Sequence, residues 1–175
     1  GKTQIIFIEN HDTERFATAV EQDPGKLKVG AALNMLLGGT PSVYYGQELG
    51  MRGRGGFNAF GKTDGNDIPR REAFEWYAMD TGRGLSVWYK DSGPWWDQRN
   101  MKANDGISVE EQVKDANSLW NFYKDMIALR KNNAVLTAGK YLAVKNNNDN
   151  VFSFLRIDDK DAFVIAVNLS NAATQ

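Results

Sequence analysis

Cysteine is absent from the 175 residues and histidine occurs once, as His11. The first absence excludes disulfides, a thiolate nucleophile and Cys-based zinc or iron–sulfur centres. The second makes a two-histidine zinc site within this chain impossible. An excess of either charge is lacking too, since 21 Lys plus Arg face 22 Asp plus Glu for a formal charge of -1. No dense Lys/Arg cluster offers a field for a phosphate backbone, so nucleic acid is not an expected partner. Apolar runs such as Ala31 to Leu37 fall far short of the ~20 residues that cross a bilayer, so no membrane partner is expected. Gly1-Lys2-Thr3-Gln4 carries no signal-peptide pattern. The chain reads as soluble and as part of something longer. Its length is also too small for a complete eight-stranded (β/α) barrel, which takes about 250 residues.

What is present begins with Gln4 to Ile8, an apolar, β-branched and aromatic run that suits a strand buried on both faces. Pro24-Gly25 then opens a helical pattern over about residues 25 to 37, stopped by Gly38-Gly39. Ser42 to Tyr45 is a second short strand candidate, closed by Gly46. Strand, helix and strand of these lengths predict a βαβ unit with parallel strands whose C-terminal ends open on one side. From Gln47 to about Val113 no period of either kind is sustained, and loops of that length inside compact domains are usually functional. Ala116, Leu119, Trp120, Tyr123, Ile127 and Arg130 share one face of a helix expected over about 112 to 132. Lys140 to Val144, Val151 to Arg156 and Ala162 to Asn168 then read as an antiparallel meander broken by Asn- and Asp-rich turns. A boundary near residue 134 separates an α/β part, 1–133, from an all-β part, 134–175.

Candidate chemistry concentrates in two places. Asn10, His11 and Asp12 stand where a parallel strand emerges into a loop, the edge at which α/β folds bind ligands. A carboxylate there can stabilise developing positive charge or accept hydrogen bonds from hydroxyls; it can equally cap the following segment. No G-x-S-x-G elbow supplies a serine for His11 to activate. Asp67 and Arg71, in a turn held by Pro69, could pair and present an acceptor and a donor to a polyol, or form an ordinary surface ion pair worth about 0 to 1 kcal/mol. Asp64, Asn66 and Glu75 fall at calcium-loop positions 1, 3 and 12, but Pro69 occupies the position that needs Gly. Trp76, Trp88, Trp95 and Trp96 crowd the long region, where aromatic faces can stack on sugars or anchor the loop by burial.

Together these motifs carry a resemblance. Phe7-Ile8-Glu9-Asn10-His11-Asp12 resembles the F-x-x-N-H-D signature of the α-amylase family of glycoside hydrolases, at the end of the seventh barrel strand. Gly39 to Met51 resembles that family's segment around the eighth strand. Asn66-Asp67 through Arg71, with Phe74-Glu75-Trp76, resembles its substrate-binding loop. Met126 to Lys131 resembles the last barrel helix, and the β tail the start of the C-terminal β domain.

The resemblance implies an α/β fold that is the last part of a (β/α)8 barrel followed by an antiparallel β segment. It implies retaining chemistry at an α-glucosidic bond of a starch-type substrate, with Asp12 stabilising the transition state and His11, Asp67 and Arg71 binding sugar. The expected partner is an α-glucan or maltooligosaccharide. A retaining glycosidase needs a nucleophilic carboxylate and a carboxylic acid about 5 to 5.5 Å apart. The family carries these on its fourth and fifth strands, which have no counterpart here, so the chain alone is expected to be inactive. No cofactor is expected within the chain. Calcium is an expectation for the longer protein, as is export or a cell-surface location. Barrel strands without neighbours predict self-association through exposed edges. A non-catalytic carbohydrate-binding unit, an inert structural fragment, and an α-glucosidase or transglycosidase parent stay open as alternatives.

Overall fold

A computed structural model describes residues 4–54 and 58–174. Gly1 to Thr3, part of the segment read for a signal peptide, lie outside the described residues. The chain opens with strand β1 (Ile5–Ile6), a single turn α1 (Phe16–Ala19) and helix α2 (Pro24–Leu36), then strand β2 (Thr40–Pro41). Strands β1 and β2 are parallel, with Ile5 opposite Thr40 and Ile6 opposite Pro41. This is the expected βαβ unit, with two differences. The second strand lies at Thr40–Pro41 and not at Ser42 to Tyr45, because Tyr44 and Tyr45 turn away to cover the Arg15 guanidinium. The first strand is not buried on both faces: Ile5 is 69% exposed and Phe7 is also exposed. Among the described residues each strand has only the other as neighbour, which leaves one side of the pair uncovered.

Helix α2 starts where its chemistry directs. Asp23 accepts a hydrogen bond from the Lys26 N–H at 2.8 Å, and Pro24 fills the first turn, where its missing N–H costs nothing. The exit needs glycine. Gly39 adopts φ +62°, and a Cβ there would come within 2.6 Å of the Gln4 carbonyl oxygen. Only a residue without a side chain lets β2 approach β1 after the helix.

The region from Gln47 to Val113 contains two 3-10 turns, Gln47–Leu49 and Asp64–Arg70, and a short helix α3 (Val109–Gln112). Helix α4 (Leu119–Asn132) begins later than its periodicity suggests. The Ser118 hydroxyl caps the N–H of Asn121, and the Asn121 amide bonds back to the Asp115 carbonyl oxygen, so the preceding residues form a turn instead of a helix. A short helix α5 (Ala134–Ala138), which the periodicity did not reveal, follows. Strands β3 (Lys140–Ala143), β4 (Val151–Ile157) and β5 (Ala162–Asn168) form the expected antiparallel meander.

The main core joins these parts. Ala31, Met35 and Leu36 of α2, Tyr123 of α4, Val135 and Leu136 of α5 and Phe154 of β4 are buried together. A second cluster, Ile68, Ala73, Tyr89 and Met101, lies inside the loop region with Trp95 and Trp96 packed on it. Trp76 and Trp88 remain exposed, so the tryptophans divide between anchoring and display. The described residues thus form the end of an α/β layer plus an antiparallel sheet, and no closed barrel is formed among them.

Candidate active site

The loop after β1 is shaped by two nested devices. On the outside, the Asn10 carboxamide oxygen accepts the N–H groups of Asp12, at 2.8 Å, and Thr13, at 3.0 Å, while the Thr13 hydroxyl accepts the Asn10 N–H. Beneath it, Glu9 accepts the Arg15 guanidinium at 2.7 Å and the Phe16 N–H at 2.6 Å. Burial pushes the Glu9 carboxyl up from its ordinary range, and Arg15 opposes that shift. Arg15 also donates to the Tyr45 carbonyl oxygen at 2.7 Å and lies over the Tyr44 and Tyr45 rings. The β1 and β2 exits are thus tied together by a buried ion pair.

On this base His11 and Asp12 face outward, with side chains 60% and 65% exposed and the His11 Nε2 3.1 Å from an Asp12 oxygen. The turn at Asp64–Arg70 comes to meet them. Arg71 Nη2 lies 3.3 Å from Asp12 and 3.1 Å from Asp67, and Arg71 Nε donates to the His11 carbonyl oxygen at 3.2 Å. The expected Asp67–Arg71 pair is therefore present, and it extends to Asp12. All four residues singled out from the sequence, His11, Asp12, Asp67 and Arg71, fall in one cluster at the C-terminal side of the parallel strands.

Sequence reasoning missed Arg70. Its guanidinium donates to the Asp12 carbonyl oxygen at 2.5 Å and pairs with Asp67, which joins the two loops from below. The doubled arginine after Pro69 was the available signal. It also missed Glu72, whose two oxygens accept the Asn100 N–H at 2.7 Å and the Met101 N–H at 2.8 Å. Tyr45 donates to the Glu72 carbonyl oxygen at 2.8 Å, which connects the segment after β2 to the Glu72 backbone. Gly53 allows the close pass beside it, because a Cβ there would lie 1.9 Å from the Pro69 carbonyl oxygen.

Two of the residues at calcium-loop spacing, Asn66 and Glu75, lie in different surroundings. Asn66 directs its amide to the Gly61 and Thr63 carbonyl oxygens and its oxygen to the Phe60 N–H. Glu75 sits apart with Glu72, Asp105 and Glu111, and this acidic, buried setting pushes its carboxyl up to about 8. Among the described residues no group of three or more His, Asp or Glu side chains is arranged to hold a metal ion.

Chemically, the cluster offers carboxylate acceptors and a guanidinium donor on an exposed rim, suited to ligands with several hydroxyls. The Arg71 pairs are exposed and worth about 0 to 1 kcal/mol each, so hydroxyl groups can replace them cheaply.

Known proteins share this arrangement of elements. The chain is 29% identical over 206 aligned residues to the oligo-1,6-glucosidase IMA5 of Saccharomyces cerevisiae, covering 97% of this chain and 35% of that protein. It is 27% identical to Alpha-amylase 3 of Dictyoglomus thermophilum, covering 91% of this chain and 29% of that protein. The crystal structure of the α-amylase from H. orenii superimposes with a TM-score of 0.78 at 34% identity, over 95% of this chain and 30% of that one. The chain spans about a third of the length of the curated relatives it matches. Residues 1–139 match the family model described as the α-amylase catalytic domain, and with that match covering most of its length the chain belongs to the α-amylase family of glycoside hydrolases.

Proposed function

We propose that this chain forms the C-terminal part of a retaining α-glucan hydrolase and supplies the sugar-facing rim of its active site. The observation that carries the reading is the Arg71 guanidinium shared between Asp12 and Asp67, which draws the two loops into one polar surface at the strand ends. In that role Asp12 faces the ring undergoing substitution. As positive charge builds at the anomeric carbon, a fixed carboxylate interacts more strongly with the transition state than with bound substrate. His11 hydrogen-bonds the same sugar, and Asp67 and Arg71 hold the next glucose units on the non-reducing side.

The nucleophile and the general acid are assigned to parts of a longer protein outside this chain. Two measurements test this. Release of reducing sugar from maltooligosaccharides by the purified chain is expected to be nil, and turnover would overturn the assignment. In the longer protein Asp12→Asn should lower kcat by orders of magnitude with the fold retained, since only charge in the transition state is lost. An unchanged kcat would remove Asp12 from the mechanism.

A second reading, sugar binding without turnover, is favoured by exposed Trp76 and Trp88. Saturable maltooligosaccharide binding to the isolated chain supports it. The exposed Ile5, Phe7 and Val43 also call for a cover, and the chain alone is proposed to self-associate through this edge. Sedimentation of a monomer at all concentrations would refute that.

A further inference from the structure

At the opposite end of the parallel strands from Asp12, two arginines are buried with no carboxylate paired to them among the described residues. Arg130 of α4 is 8% exposed and Arg156 of β4 is 2% exposed. Arg130 donates to the Met35 carbonyl oxygen at the end of α2 and to Gly39, both at 2.6 Å. Arg156 donates to the Leu36 carbonyl oxygen at 3.1 Å and to Gly139 at 2.6 Å. Both line an open cavity of about 730 Å³ with Gln4, Thr40, Pro41, Thr137 and Gly139.

Capping explains part of this arrangement. Cations at a helix C-terminus satisfy its last carbonyl groups and its dipole. It does not account for the charge. Buried guanidinium ions are normally paired, because removing each from water costs several kcal/mol. Here burial lowers the pKa of both, and Arg130 lowers that of Arg156 further by repulsion. Among the described residues neither forms an ion pair, and Arg156 Nε is buried without an acceptor. Each guanidinium carries five N–H donors in a planar fork, so carbonyl capping leaves donors over.

We propose that the cavity between Arg130 and Arg156 is a binding site for a small oxyanion, a phosphate or a carboxylate, which neutralises the two guanidinium groups. The forked geometry suits such groups, and two like charges lining one cavity favour an anion there. The lining residues contribute no opposing acid. The site is independent of the sugar-facing cluster and stands whether or not Asp12 is catalytic.

The test is a titration of the purified chain with sodium phosphate and, separately, sodium acetate, ionic strength being held constant with sodium chloride. The unfolding midpoint and the arginine Nε–H signals in NMR are followed together. Saturable stabilisation in the millimolar range, with the signals of Arg130 and Arg156 moving in step, is expected. A stronger response to phosphate identifies a phosphoryl ligand, and a stronger response to acetate identifies a carboxylate. Gln4→Glu, at the exposed rim of the cavity, places a carboxylate beside the pair. It should raise the midpoint in the absence of oxyanion and weaken the response by about tenfold or more, the factor that ~1.4 kcal/mol represents. No response in the original chain, or an equal response in Gln4→Glu, overturns the proposal.

Discussion

Around Phe154 and Leu136 the chain is closed by apolar packing, whereas around Glu9 and Glu72 it is closed by carboxylates that collect backbone N–H groups. The first region is built from helices and a sheet, whose backbone groups bond to one another and leave side chains free to fill space. The second is largely irregular, so its backbone N–H groups need acceptors from side chains. A buried carboxylate accepting several of them replaces the missing secondary structure. The proposed sugar-facing cluster lies in the second region, where outward-facing polar groups are held by an inner polar frame.

That contrast can be broken by substitution, and the largest effect is expected in the apolar region. Leu136→Ala and Phe154→Ala should each cost about 3 to 5 kcal/mol of global stability, measured by urea unfolding, because both side chains are fully buried. A cost near zero would mean that this core does not hold the chain together.

Glu72→Ala should be next, at about 2 to 3 kcal/mol, since it leaves the Asn100 and Met101 N–H groups without their acceptor. The loss should be local. Hydrogen exchange is expected to accelerate at Asn100 and Met101 while amides of α4 stay protected. Uniform acceleration across the chain would erase the distinction between the two regions.

A pH profile sharpens it further. The Glu75 carboxyl, pushed up to about 8 from 4.5 by burial and by Asp105 and Glu72, keeps its proton in the folded chain over a range where the unfolded chain releases it. Stability should therefore be highest below about pH 4.5 for this group and fall as pH rises towards 8, at up to about 1.4 kcal/mol per pH unit. Glu75→Gln carries no charge and should flatten the profile, becoming the more stable form above pH 8. Identical profiles for the two proteins would refute the assignment. The smallest effect is expected at the rim, where Asp67→Asn should change stability by about 0 to 1 kcal/mol. Its consequence should appear instead as weaker maltooligosaccharide binding by the longer protein.

Legibility followed the same division. The helix at Pro24–Leu36 and the meander announced themselves, because their signals are local: a cap, a proline, a period, a run of turn residues. The starts of β2 and α4 were displaced by neighbours that no local pattern reveals, Arg15 beneath Tyr44 and Tyr45 in one case and Asn121 folding back on Asp115 in the other. His11, Asp12, Asp67 and Arg71 were legible as a group through motif order. Their supports were not, since Glu9 and Glu72 are defined by partners up to 29 residues away.

By itself the sequence determined the helix after Pro24 and the antiparallel meander, that no cysteine chemistry or two-histidine metal site exists in this chain, and which residues carry the family's signature. Only the tertiary structure decided that Arg71 bridges Asp12 and Asp67, and that Arg130 and Arg156 share a cavity with no counter-charge among the described residues. The physical reason is range. Capping and periodicity act within a few residues along the chain, whereas charge and burial depend on what folding brings near in space.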